Sequence, residues 1–243
     1  MTAQKTSISI IDLEIEKIER SACSSIDIDS ASDESTKRIF KSGLDWIANF
    51  IMIHHPELGR RGAVCPFVGP SHCEGSLLFC SWDVKKLSFE IFLSVLKSLS
   101  SLYQRLSPGM FRTRRFSICI FLSGLKEDQY SKYIDEAHSV VKPVFMDAGL
   151  MIGEFHPLSV TEGVHSETFR PMRSSQPAFV VRYMTLHDAM FIDRDGSPAE
   201  VRLRELLNYR FWMEEALPKD DISRIEKRIE DLKVAIATRN GSG

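Results

Sequence analysis

The sequence predicts an α+β fold, a ferredoxin-like sandwich with an antiparallel sheet and additional helices at its N- and C-termini. Two observations carry this. Short apolar runs of strand length are interspersed with longer stretches whose apolar residues recur every three to four positions. Their order, strand, helix, strand, helix, strand, strand, is close to the split arrangement in which helices cover one face of a mostly antiparallel sheet. That arrangement leaves the other face free for a ligand or a partner.

The elements follow in chain order. Ile8, Ile11, Ile15 and Ile18 recur at helical spacing with acids between them, which predicts a short amphipathic helix. Residues 21–36 are mostly Ser, Asp and small side chains, too polar to offset the entropy of ordering, so residues 1–36 read as a helix plus a mobile linker. A single domain is expected over 37–217. It opens with an apolar stripe of Ile39, Phe40, Leu44, Ile47, Phe50 and Ile51 on a helix that Pro56 stops. Leu77 to Trp82 reads as a strand and Leu87 to Leu106 as a helix ended by Ser107, Pro108 and Gly109. Phe116 to Leu122, Leu150 to Phe155 and Ala178 to Met184 complete the strands, with a helix from Asp128 to Phe145. Pro198 to Leu217 reads as another helix. Within 218–243, Ile222, Ile225, Ile229, Leu232 and Ile236 form a seam about two heptads long, which suits a helix packed on its own domain or a homodimer contact.

Composition excludes several classes. The 31 basic and 33 acidic residues nearly cancel, and no basic block replaces an overall field, so nucleic acid is not an expected partner. No run approaches the ~20 apolar residues that span a bilayer. The first twenty residues lack the basic flank and apolar core of a signal peptide, so a cytoplasmic protein without membrane attachment is expected. Five cysteines in such a chain point to reduced thiols.

The candidate site residues lie in loops and at one strand end. Gly149-Leu-Met-Ile-Gly-Glu-Phe-His-Pro157 drives an apolar strand into Glu154 and His156, which share a face by the period of two. Imidazole is a common metal ligand and titrates near neutrality, and a carboxylate beside it can set its tautomer. The bland alternative is a histidine bonded to backbone at the sheet edge. Cys65, in Val-Cys-Pro-Phe between glycines, suits a soft-metal ligand, a nucleophile near Arg60 and Arg61, or a packed core thiol. Arg170 and Arg173 could clamp a carboxylate or phosphate, or be solvated loop charges. Cys65, His72, Cys73 and Cys80 lack the paired spacing of structural zinc. Phosphate-binding loops, the hydrolase elbow and the zinc-protease motif are absent from the sequence.

His55-Pro-Glu-Leu-Gly-Arg, Val64-Cys-Pro-Phe, the Gly149–Pro157 segment, Phe169-Arg-Pro-Met-Arg, Pro177 and Arg182-Tyr-Met together resemble an uncharacterised bacterial domain family met in secondary-metabolite gene clusters, over residues 40 to 195. More distantly, Cys-Pro-Phe before a strand is similar to YqcI/YcgG-type proteins, some of which bind haem and oxidise nitrogen in guanidine or amine substrates. This second resemblance implies haem, with His156 or Cys65 as the axial ligand and Arg170 or Arg173 near the propionates. The expected function is then a haem-dependent oxygenase of small-molecule biosynthesis acting on a small amine, amino acid or guanidine-type substrate, with His156 as proximal ligand tuned by Glu154. Its rival is a non-catalytic small-molecule-binding or protein-interaction module. A third reading is cofactor-free acid–base chemistry by Glu154 and His156.

Overall fold

The structure, a computed structural model, describes residues 9–107, 115–194 and 196–241. Ile8 of the expected first helix, and Pro108 and Gly109 expected to end another, lie outside the described residues. The chain divides into two compact units, one built from residues up to Val141 with Ile152–Arg182, the other from Lys142–Met151 with Tyr183–Gly243.

The first unit begins with α1 (Ile10–Arg20), opened by a capping box in which the Ser9 hydroxyl accepts the Asp12 N–H and the Asp12 carboxylate accepts the Ser9 N–H. β1 (Cys23–Ser24) follows. The Asp33 carboxylate then accepts the N–H groups of Ser35 and Thr36, each at 2.9 Å, and starts α2 (Glu34–Trp46), which runs on through a π-helical turn over Ile47–Ile51. The short α3 (Val68–Cys73) precedes β2 (Leu77–Asp83). α4 (Phe89–Leu106) then crosses over to β3 (Ser117–Ser123). A second π-helical turn, Ser131–Glu136, leads into α5 (Ala137–Asp147), and β4 (Leu150–Phe155) and β5 (Ala178–Tyr183) finish the sheet.

The strand order is β1-β2-β3-β5-β4. β1 lies antiparallel to β2, and β3 antiparallel to β5, whereas β2 and β3 are parallel neighbours in a register that pairs Leu77 with Ser117 and Asp83 with Ser123. The α+β class and a mostly antiparallel sheet match the expectation. A parallel pair side by side is foreign to the ferredoxin-like split arrangement, in which a third strand separates the two strands of each crossover.

Neither face of this sheet is free. Phe40, Ile47 and Ile51 pack on Leu77, Phe79, Cys119, Phe121 and Ala178. On the opposite face the Phe92 ring of α4 stacks on Trp82 at 4.8 Å and meets Phe179 at 6.4 Å. The expectation of an open face is therefore corrected: α2 covers it. Gly43 makes this possible, because a Cβ there would overlap the Phe121 ring. The segment expected as a mobile linker is also corrected, since Cys23 and Ser24 pair with Phe79 and Leu78, and Ile28 and Ala31 are buried in the same core. Its polar residues cap and turn the chain, while these few apolar ones anchor it.

The second unit contains α6 (Ala199–Met213) and α7 (Lys219–Gly241). Its core gathers Met146, Met151, Met184 and Met213 with Leu206, Tyr209, Ile229 and Leu232. The Ile229 and Leu232 positions of the C-terminal seam are thus buried within the unit. Charged groups share this interior: Lys142 Nζ meets the buried Glu205 at 2.6 Å, and Asp193 takes hydrogen bonds from Arg202 at 2.5 Å and Arg228 at 2.6 Å. Among the described residues no helix is long and apolar enough to cross a membrane.

Candidate functional site

Strand alternation decides which way the end of β4 points. Phe155 faces the α2 layer, its ring 5.3 Å from Trp46, so Glu154 and His156 face the opposite way. There the helical run from Ser131 presents Asp135 and His138, three residues apart and hence on one side. The His156 Nε2–H donates to Asp135 Oδ1 at 3.0 Å, and His138 Nε2 lies 3.2 Å from Glu154 Oε2 and 3.0 Å from the Ile152 carbonyl oxygen. Glu154 and His156 share a face, yet each pairs with the helix and not with the other. The result is two adjacent imidazole–carboxylate pairs that pin the end of β4 to the start of α5.

His156 is 3 % exposed, its ring lies 5.2 Å from Tyr130, and its Nδ1 is buried without a hydrogen-bond partner among the described residues. A buried polar atom left unsatisfied costs about 1–3 kcal/mol. Asp135 and His138 were not legible as site residues, because their spacing gains meaning only once β4 is laid beside them. The π-helical turn that carries Asp135 is a feature often found at functional positions, and sequence periodicity reads it as ordinary helix.

Cys65 sits elsewhere. Its backbone N–H donates to the Ile51 carbonyl at 3.0 Å and its side chain packs on the core beneath α2, on the other side of the sheet from His156. Arg60 donates to the carbonyls of Arg61 and Val64. Arg173 Nε donates to the Ser159 carbonyl at 3.0 Å, while Arg170 donates to the carbonyls of Glu167 and Phe169 and to the Glu162 carboxylate. Both guanidinium groups thus brace the loop between β4 and β5.

These positions do not fit a haem. An axial ligand must offer iron a ring nitrogen or thiolate beside a space for the macrocycle, whereas His156 is enclosed at 3 % exposure and Cys65 lies across the sheet from it. The cysteines and histidine weighed for zinc do not converge either: His72 Nδ1 is 2.8 Å from the Ser25 hydroxyl, Cys73 is exposed and Cys80 is buried. Burial pushes the Cys80 and Cys119 thiols well above their ordinary pKa, which keeps them protonated packing groups. Among the described residues no three His, Cys, Asp or Glu side chains are grouped to hold a metal ion.

A cleft of about 330 Å³ lies at a different place in the first unit, lined by Glu14 and Lys17 of α1, Ser81, Trp82 and Asp83 at the end of β2, and Lys86 and Leu87 beyond it. Its location follows from the topology, since it opens at the carboxyl end of a parallel strand, where α/β sheets commonly seat ligands. α1 is fixed over it at the far end: the Ser21 hydroxyl accepts the Ser81 N–H at 2.9 Å, extending the edge that β1 makes with β2. Glu14 is only 5 % exposed, and its carboxylate accepts the Trp82 indole N–H at 3.0 Å and Lys17 Nζ at 2.5 Å. A carboxylate is buried at this cost only when such partners meet it.

Sequence reasoning passed over Glu14, though a signal was present. It falls on the same stripe as Ile11, Ile15 and Ile18, where an acid is out of place.

No curated protein and no solved structure matches the chain. The family model described as Domain of unknown function (DUF6875) matches residues 40–224, which include Asp135, His138, Glu154, His156 and the Ser81–Leu87 wall of the cleft but not Glu14 or Lys17. That match spans most of the chain, from within α2 to within α7, and the chain therefore belongs to the DUF6875 family.

Proposed function

We propose that this chain is a non-catalytic small-molecule-binding module, and that the cleft between α1 and the end of β2 is its ligand seat. The observation that carries the reading is Glu14, a nearly buried carboxylate held at the wall of a cleft whose size, about 330 Å³, falls at the small end of the range typical for ligand sites. The His156–Asp135 and His138–Glu154 pairs then serve as architecture, locking β4 to the helix behind it. The gene-cluster setting implied by the resemblance belongs to this proposal: a binding module in small-molecule biosynthesis would hold a polar intermediate.

The oxidative alternative drawn from the YqcI/YcgG-type likeness asks His156 or Cys65 to face iron and Arg170 or Arg173 to meet propionates. Their separate positions support the binding reading instead.

The test is a titration of isotopically labelled protein with a fragment set of cationic, anionic, zwitterionic and neutral small molecules, following the Trp82 indole N–H resonance. Saturable shifts at Trp82 and along Ser81–Leu87 are expected. Shifts confined to other parts of the chain would refute the cleft as the seat. Hemin added to the same protein is expected to give no bound Soret band; one that disappears in His156→Ala or Cys65→Ala would restore the oxidative reading.

A further inference from the structure

The charges around the cleft are arranged in a way that narrows the ligand. Glu14 and Lys17 stand one turn apart on α1, and Asp83 and Lys86 stand three residues apart at the opposite wall, so each wall offers one carboxylate and one ammonium group. The lining therefore carries no net charge but groups of both signs. A cation seated against Glu14 would displace Lys17 and leave it and Lys86 without a carboxylate to meet; an anion would leave Glu14 and Asp83 facing it. Only a molecule with both charges answers both sets.

Resting on the cleft being the ligand seat, we infer that the ligand is a compact zwitterion of the α-amino-acid type. Its ammonium group takes the place that Lys17 Nζ now holds against Glu14. Glu14 does not have to move, because the Trp82 indole N–H fixes its other oxygen at 3.0 Å. The displaced Lys17, whose side chain is 68 % exposed, needs no burial and can turn its charge to the ligand carboxylate together with Lys86. Charge-assisted hydrogen bonds of this kind are the strong ones, and those made to Glu14 are sheltered from water. Leu87 supplies the apolar surface for a short side chain. The volume, at the small end of the range for ligand sites, accommodates a ligand of this size.

The experiment uses the full chain and three matched probes, L-leucine, L-leucinamide and N-acetyl-L-leucine, with affinity read from the Trp82 indole resonance and by calorimetry. L-Leucine is expected to bind at least about tenfold more tightly than either singly charged analogue, a gap of about 1.4 kcal/mol. Glu14→Gln, which preserves an acceptor for Trp82, should remove the advantage of leucine over N-acetyl-leucine. Lys86→Met, on the exposed rim, should reduce its advantage over leucinamide. Equal affinity for all three probes overturns the zwitterion assignment while leaving the cleft as a seat, as does a cleft that answers other members of the fragment set but not leucine. A cleft silent to every probe and every fragment takes down this inference and the binding reading together.

Discussion

The two units of the chain are held together by different chemistry. In the first, the sheet is clasped by interlocking rings: Phe40 lies 5.6 Å from Phe79 and 6.0 Å from Phe121 on one face, and Trp82 and Phe92 stack on the other. The second fills its core with four methionines and admits charged groups among them, with Glu205 and Lys142 paired and Asp193 bonded to Arg202 and Arg228. Rigid rings fit a fixed outline, whereas thioethers adapt to an irregular one. Specific geometry in the second unit is then left to its ion pairs. A buried pair of this sort adds little net stability but makes loss of either partner costly.

The contrast can be broken at its strongest point first. Phe121→Ala removes a ring that Phe40, Phe79 and Gly43 all touch, and should cost about 3–5 kcal/mol in denaturant unfolding, enough to endanger a domain of ordinary stability. A loss below about 1 kcal/mol would mean that the first unit repacks as readily as the second. Glu205→Gln should cost nearly as much, about 3 kcal/mol, because it leaves the largely buried Lys142 ammonium without a counter-charge, facing only neutral acceptors such as the Phe191 carbonyl. Pairing Lys142→Met with Glu205→Leu should recover most of that loss, and a double variant as unstable as the single one would show that the pair, and not its volume, is what the core requires.

Acid should test the Asp193 clamp of the second unit. Burial pushes the Asp193 carboxyl up, but hydrogen bonds and charges from Arg228 and Arg202 outweigh it and hold the pKa below the ordinary carboxylate value. A lowered folded-state pKa means that this stabilisation is complete above the unfolded-state value, about 3.9, and is lost as pH falls through the folded-state one. The fluorescence of Trp212, in the second unit, should therefore report acid unfolding whose midpoint changes in Asp193→Asn, which has no such proton to take up. An unchanged acid profile would remove the clamp from the account. The smallest effect is expected from Met184→Leu, below about 1.5 kcal/mol by thermal unfolding, since an adaptable core accepts a swap of similar volume; a larger loss would place Met184 in a fitted position like those of the first unit.

How far the fold could be read from the sequence depended on whether the signal was local. The long strands and helices were legible because each carries its own periodicity. The covering of both sheet faces was also written in Ser117–Ser123, whose interior is apolar without alternation, as befits a strand buried on two sides; strand order alone had suggested an open face. The two-residue β1 is too short for any period to reveal. At the candidate site, the shared face of Glu154 and His156 followed from alternation, but their partners Asp135 and His138 come from another element, and no spacing in one segment announces a match in a second. Cys65 was grouped with His156 by reactivity, which carries no information about side of sheet. Glu14 was the reverse case: its place on an apolar stripe was visible, but it passed as one of the acids between the isoleucines of an amphipathic helix.

The brief pairing of Cys23 and Ser24 with β2 has a practical side. Together with Ser21 it shields the outer margin of Leu77–Asp83, a run of exposed-strand length that would otherwise present unpaired amides and carbonyls. A polypeptide begun at residue 40, where the family match starts, would bare that margin and invite strand-on-strand aggregation between copies. Residues 9–39, ahead of the shared domain, thus act as a solubility guard for it, and expression of the two lengths side by side should show the shorter one in the pellet.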